Sequence, residues 1–356
     1  MSILQRYLAR ELGKPCLIIV TILNTIFLIY SSVHFLEDVA IGSLPTETLL
    51  PLILLKVLIA QEVILPIAFY LSGIYIFSTM HSANETAAMF SCGIGPRQLL
   101  IPLAWLSLAL ALLVAGLSLF IRPWAYQMTY QFKALAHTQY GLEKMEPGQF
   151  VEGGNEDEIY FIGQKNSSQK AETVFIQRTE KNRVQVFFAR KARQIKNNSS
   201  VTGRKFLLLD GTMSILEPNR SQDLISSFER CTIYIGPPQS PQLERKAKTT
   251  NTFKLLGSRR PKEVAELQWR FTAPIMTFLF GLICLPLSSL RPQWGRYGNV
   301  VMAMLIYAVY YNLQSMAETW VEHSSLAFFP GTWWTTALLA ALLGILCLRR
   351  NSYLGF

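Results

Sequence analysis

Five stretches of this 356-residue chain contain no Asp, Glu, Lys or Arg: 15–36, 98–121, 271–290, 297–317 and 323–348. A helix rises about 1.5 Å per residue, so about 20 apolar residues cross a hydrocarbon core about 30 Å thick. Each stretch meets that length. A sixth apolar segment, 49–80, is broken only by Lys56 and Glu62. Its spanning part reads as 61–80, with the earlier residues tilted or at the interface. Charged residues make up 16% of the chain, against about 25% in a soluble domain. Six such lengths exclude a purely soluble fold. The high apolar content excludes a disordered or fibrous one.

Orientation follows from basic residues in the short connections. Arg6, Arg10 and Lys14 precede the first span, Arg97 lies between the second and third, Arg291 and Arg296 between the fourth and fifth, and Arg349 and Arg350 at the end of the sixth. The short connections on the other side, 37–48 and 318–330, carry acids and no Lys or Arg. Both termini are therefore expected in the cytosol. The first apolar run is longer than a signal core and is expected to stay as a span.

Between the third and fourth spans lies a different sequence, residues 122–267, which the topology places outside. It holds 23 of the 33 basic residues and 15 of the 23 acidic ones. Long inserts translocate regardless of charge, so its basic excess does not oppose the orientation. Short apolar runs with turn residues between them predict strands at 159–162, 173–176, 184–188 and 231–235. Asp210-Gly211 separates two apolar runs and predicts a hairpin there. The insert reads as an all-β, jelly-roll-like domain, with 237–262 a linker back to the membrane. The expected organisation is thus residues 1–121 with three helices, 122–267 the β domain and linker, and 268–356 with three more. Of five cysteines, only Cys231 lies in the outer domain. It cannot form an internal disulfide and reads as a small buried apolar residue.

The chain lacks a phosphate-binding G-x-x-x-x-G-K-[ST] loop, a G-x-S-x-G elbow and any histidine spacing suited to a metal. No catalytic or metal-binding residue is assigned, and no cofactor is expected in this chain. Energy for any work this chain performs is expected from elsewhere. The most informative short segment is 80–98, between the second and third spans. Ser82 with Glu85 reads as a capping box, while Gly93 and Pro96 end a helix. A cytosolic helix at about 83–92 is expected, with Ala87, Ala88, Met89 and Phe90 exposed. One reading lays it on the lipid surface. The other docks it into a groove on a cytosolic partner, with Glu85 as cap or docking charge.

The pattern Asn84-Glu85, Ala88-Met89, Cys92-Gly93-Ile94 resembles the cytosolic motif of the lipopolysaccharide-export permeases LptF and LptG. Arg6-Tyr7-Leu8 with Arg10-Glu11, Gly148-Gln149-Phe150, 265–270 (Ala-Glu-Leu-Gln-Trp-Arg), and Pro286-Leu287-Ser288 with Pro292 and Gly295-Arg296 are closest to the LptF branch. The resemblance covers essentially the whole chain.

It implies the permease subunit of an ATP-driven transporter in a Gram-negative inner membrane. Its partners would be an LptG-like permease, two LptB-like ATPase subunits that bind ATP and Mg, and an LptC-like periplasmic bridge. The cargo would be lipopolysaccharide, and nucleic acid is not among the expected partners. Glu85, Ala88, Met89, Phe90 and Gly93 would couple to the ATPase within 82–93. Relatives carry basic residues at the outer end of the first span; here Ser31 and His34 stand, followed by Glu37 and Asp38. His34 and Lys56 are the candidate lipid contacts at that mouth, although snorkelling explains Lys56 equally well. Phe161 and Phe187 would line a groove for acyl chains, or fill the core of the β domain. An LptG-type paralogue and a non-transporting envelope assembly protein are the alternatives.

Overall fold

A computed structural model describes residues 3–40, 44, 46–139, 148, 150–152, 158–165, 170–180, 183–195, 204–216, 224–235, 247–289, 295–324 and 330–353. The chain forms two compact units. One comprises 1–29, 55–126 and 244–356; the other comprises 30–54 and 127–243.

The long helices are α1 (Ile3–Ala40), α2 (Leu49–Ser82), α4 (Pro96–Gly116), α5 (Arg122–Gln139), α7 (Pro261–Ser288), α8 (Gly295–Glu322) and α9 (Trp333–Tyr353). Two short ones, α3 (Glu85–Ser91) and α6 (Thr252–Leu255), stand at opposite ends of the first unit's helices. A wide π turn, Leu117–Ile121, joins α4 to α5 in one rod. Five of these elements are long and apolar enough to cross a membrane, and α9 adds a shorter apolar helix. The last charge-free stretch begins at residue 323, but α9 starts ten residues later. Gly331 takes a left-handed φ of 52°, and the next amide, Thr332, donates to the Gln268 side chain at 2.9 Å. That turn fixes the start of α9.

In the helical unit α7 is the most enclosed span and α1 the least. Small residues let the helices approach closely, as they do where lipid supplies no hydrophobic drive. A Cβ built on Gly281 of α7 would lie 2.1 Å from Ser107 Oγ of α4. One on Gly73 of α2 would lie 2.5 Å from Cys284 Sγ of α7. Beside these contacts Tyr70, Phe280, Tyr307 and Tyr310 pack ring against ring at 4.8–6.4 Å, most of them tilted or edge-on. The outlying α1 is held by polar clasps: Ser72 Oγ donates to the Leu12 carbonyl at 3.0 Å, and Gln61 Nε2 to Asn24 Oδ1 at 2.5 Å.

The other unit carries six strands: β1 (Phe150–Glu152), β2 (Glu158–Lys165), β3 (Lys170–Glu180), β4 (Arg183–Ile195), β5 (Arg204–Leu216) and β6 (Leu224–Ile235). They form one antiparallel sheet in sequential order. The hairpin expected at Asp210-Gly211 does not form: β5 runs straight through it. Asp210 takes a φ of 50°, and a Cβ on Gly211 would strike the Phe188 carbonyl and the Phe228 ring. The pair signals a kink inside a strand, because the two runs it divides both pair with β4 and β6 in one register.

That kink is not isolated. Pairing is interrupted at Gly163–Thr173, Thr173–Arg190, Arg190–Asp210 and Asp210–Glu229, one position in each neighbouring pair from β2 to β6. The interruptions fall in line across the sheet. Inward-facing residues change parity there: Phe187 and Ala189 are followed by Ala192, and Phe206 and Leu208 by Met213. A regular strand keeps a period of two, so the extra step in β4 and β5, aligned with unpaired positions in β2, β3 and β6, produces a shared bend, as a bulge does locally. Cys231 is half-buried against this core, and burial pushes its thiol up from the ordinary range.

Candidate functional site

At one end of the helical unit α2, α3 and α4 form an elbow. The helix α3 starts at Glu85, later than the sequence suggests, and the Ser82–Glu85 capping box does not form. Ser82 belongs to the last turn of α2 and donates back to the Ser78 carbonyl at 2.8 Å. Asn84 takes a left-handed φ of 58° instead, which Asn tolerates better than most residues. The far end is a Schellman closure on Gly93 at φ 82°. Gly93 N donates to the Phe90 carbonyl and Ile94 N to the Met89 carbonyl, each at 3.0 Å.

The faces of this two-turn helix divide cleanly. Thr86 is buried and its hydroxyl meets His81 Nδ1 at 2.8 Å. Met89 and Phe90, three and four residues on, are half-buried against the helical core. They are therefore not exposed as the sequence suggests, since (i, i+3) and (i, i+4) positions share a face. Glu85, Ala87, Ala88, Ser91 and Cys92 form the open face. Tyr7 of α1 donates its hydroxyl to Glu85 Oε2 at 3.3 Å, tying the first helix to the elbow.

The opposite rim holds a buried charge cluster that sequence reasoning missed. Arg122 donates Nη1 to Glu62 at 2.7 Å, and Nε and Nη2 to the two oxygens of Glu266 at 2.9 and 3.2 Å. Trp269 Nε1 and Ser118 Oγ both donate to Glu62 Oε1 at 2.8 Å. Arg270 donates Nε to Glu266 Oε1 at 3.0 Å. The two acids and two guanidiniums balance. The Arg122 guanidinium also lies 5.5 and 5.6 Å from the rings of Tyr126 and Trp269. The signal that locates this cluster is positional. Arg122 and Arg270 each border a charge-free stretch, and Glu62 interrupts another, in a different helix. Three charges at the same depth beside a membrane need partners, and each is the others' nearest supply.

The motif 265–270 gains a physical account here. Within one turn of α7, Glu266 meets Arg122, Gln268 caps α9 and Trp269 meets Glu62. Arg270 reaches the segment 247–252: Nη1 donates to the Thr250 carbonyl at 3.0 Å and to Thr252 Oγ1 at 2.9 Å, and Nη2 to the Lys248 carbonyl at 3.2 Å. Thr252 Oγ1 in turn donates to the Leu119 carbonyl at 2.7 Å, inside the π turn. A π turn shifts its hydrogen bonds to i+5, so a carbonyl there is open to an outside donor.

The candidate lipid contacts are dispersed. His34 is exposed on α1, and Lys56 is half-buried on α2, six residues before Glu62. Phe187 lies in the β core; Phe161 is half-buried and its ring sits 4.6 Å from that of Phe150. Among the described residues, no group of His, Cys, Asp and Glu is placed to hold a metal ion.

A helical membrane unit with a β unit inserted in its middle, and a short helix clamped across an elbow of two spans, defines a multi-pass membrane permease. The family model of the lipopolysaccharide export system permeases LptF/LptG matches residues 6–350, and the chain belongs to that family. It is a permease subunit of lipopolysaccharide export, in the inner membrane. The chain is similar to the lipopolysaccharide export system permease protein LptF of Escherichia coli K12, at 25% identity over 96% of this chain and 93% of that protein. It shows the same identity and coverage to LptF of Escherichia coli O157:H7 and of Shigella flexneri.

Proposed function

We propose that this chain is the non-catalytic, force-transmitting half of a two-permease transporter. A partner ATPase on the cytosolic side drives it, and that partner binds the ATP and Mg. The observation that carries the reading is the elbow. The helix α3 is fixed by Met89, Phe90 and Thr86 to the bundle, and it leaves Glu85, Ala87 and Ala88 open as a small docking face. A push on α3 acts directly on α2 and α4, because only Ala83-Asn84 and 92–95 separate them. The paired permease is LptG-like, two LptB-like ATPase subunits dock below, and an LptC-like protein receives the lipid beyond the β unit. Lipopolysaccharide is drawn from the outer leaflet as the paired cavity narrows, with His34 and Lys56 near its mouth and the β unit, including Phe161 and Phe187, on the exit path.

The docking face predicts a clear loss. Glu85→Lys with Ala88→Arg places two cations on it without touching the buried side of α3. Recovery of the ATPase with the tagged permease should fall at least about tenfold, with the permease still monodisperse, since like charge and bulk at an interface centre each cost several-fold. Undiminished recovery would remove α3 from the coupling account.

In this reading both termini lie in the cytosol and the β unit in the periplasm. Labelling tests this with the native thiols. In spheroplasts an impermeant maleimide should reach Cys231 and leave exposed Cys92 unmodified until the membrane is opened. The raised thiol of Cys231 keeps its thiolate scarce near neutrality, so its labelling should accelerate as pH rises towards 9. Labelling of Cys92 first would invert the topology.

A further inference from the structure

The segment 247–262, which follows the strands and leads into α7, contains Lys248, Lys254, Arg259, Arg260 and Lys262 and no acid. It is held from inside. Fully buried Arg270 grips its backbone at Lys248 and Thr250 and its Thr252 hydroxyl, and buried Leu255 packs beneath. Its other side is bare: Phe253 is 81% exposed and Leu256 62%. In the same segment Lys254, Arg259 and Lys262 are exposed, while Arg260 is matched by Glu263 at 3.4 Å.

The depth of the segment is set by its anchor. Arg122 and Arg270 border the charge-free stretches 98–121 and 271–290 of α4 and α7, and both pair with Glu266, so they lie at one level, which marks the edge of the hydrocarbon core. A segment hydrogen-bonded to Arg270 and to the π turn lies at that edge. An apolar pair flanked by cations at an interface is the arrangement that lipid binding uses: the apolar side chains enter the acyl region and the cations meet phosphates. An acid-free sequence with three exposed cations is complementary to a negative surface.

We propose that residues 247–262 form an interfacial collar on the outer leaflet, with Phe253 and Leu256 among the acyl chains and Lys254, Arg259 and Lys262 on the phosphates of anionic phospholipids. The outer-leaflet assignment rests on the orientation proposed above. The buried Arg270 makes the collar a fixed fitting of the bundle. Bound lipid would thereby hold the outer end of α7 and the π turn at constant depth while the cytosolic elbow moves.

The test places photoreactive benzoylphenylalanine at position 253 in the full chain, within its native membranes, followed by irradiation and mass analysis of the adduct. The expected adduct is a phospholipid, with the anionic share at least twofold above its share in the same membranes. The exposed-surface variant Lys254→Gln/Arg259→Gln/Lys262→Gln should return that share to the bulk value while eluting as wild type does. An adduct to another polypeptide, an adduct to lipopolysaccharide, a phospholipid adduct without anionic enrichment, or no adduct would each overturn the collar. If Cys231 labels from the cytosol, the orientation falls; if it labels from the periplasm and position 253 joins protein, the collar alone falls.

Discussion

Arg122→Ala should be the most destabilising single substitution in the helical unit, at about 3–5 kcal/mol, because it strands the buried Glu62 carboxylate and weakens the pairing of Glu266. Glu62 loses its Arg122 partner and Glu266 keeps Arg270. The desolvation that four mutually paired charges offset together is then left uncompensated. Heating in detergent followed by size exclusion measures the effect: the variant should aggregate at temperatures that leave wild type monodisperse. Arg122→Lys should recover little, since one ammonium cannot replace three donors directed at two acids. Replacing Arg122 and Glu62 together by Met or Leu should give a protein more stable than Arg122→Ala, because the buried charges that remain, Glu266 and Arg270, are a balanced pair. Equal stability of Arg122→Ala and wild type would show that water reaches the cluster.

Gly281→Ala should damage the same unit through sterics alone. Its new methyl would lie 2.1 Å from Ser107 Oγ, 2.7 Å from Ser107 Cβ and 3.0 Å from Phe69 Cε1. Rotating the serine hydroxyl relieves the first contact and not the second, so α4 and α7 must part. Overpacking of this kind costs about 1–3 kcal/mol. The diagnostic is rescue: Ser107→Gly removes both clashing atoms, so the double variant should be more stable than Gly281→Ala alone, a coupling that a double-mutant cycle reads directly. Absence of coupling would mean the helices do not meet at these residues.

The spans were legible because a bilayer imposes one length and one composition on any helix that crosses it. The elbow was legible at its closing end, where only a residue tolerant of positive φ could serve, and Gly93 stands there. Its opening end was not. Ser82 and Glu85 have capping-box spacing, but the preceding span runs on to Ser82 and claims its hydroxyl. The inward turn of Met89 and Phe90 was also hidden, because a seven-residue helix carries too few positions to show a face by periodicity.

The rim cluster illustrates a different limit. Glu62 read as an interruption in an apolar run, and Arg122 and Glu266 read as parts of a polar insert. Their pairing spans 60 and 144 positions of sequence and follows only from the bundle's packing. At Asp210-Gly211 a local signal was real and its meaning depended on neighbours. The same dipeptide that turns a free ribbon kinks one whose flanks are both hydrogen-bonded to long partners.

The shared bend across β2 to β6 constrains how such a sheet can change. Losing the extra residue from a single strand would turn its far half inside out while its neighbours kept their facing. Such a strand would expose core side chains and bury charged ones over half its length. The crease is therefore a property of five strands held in common, and a lineage can move it only by altering all of them in step.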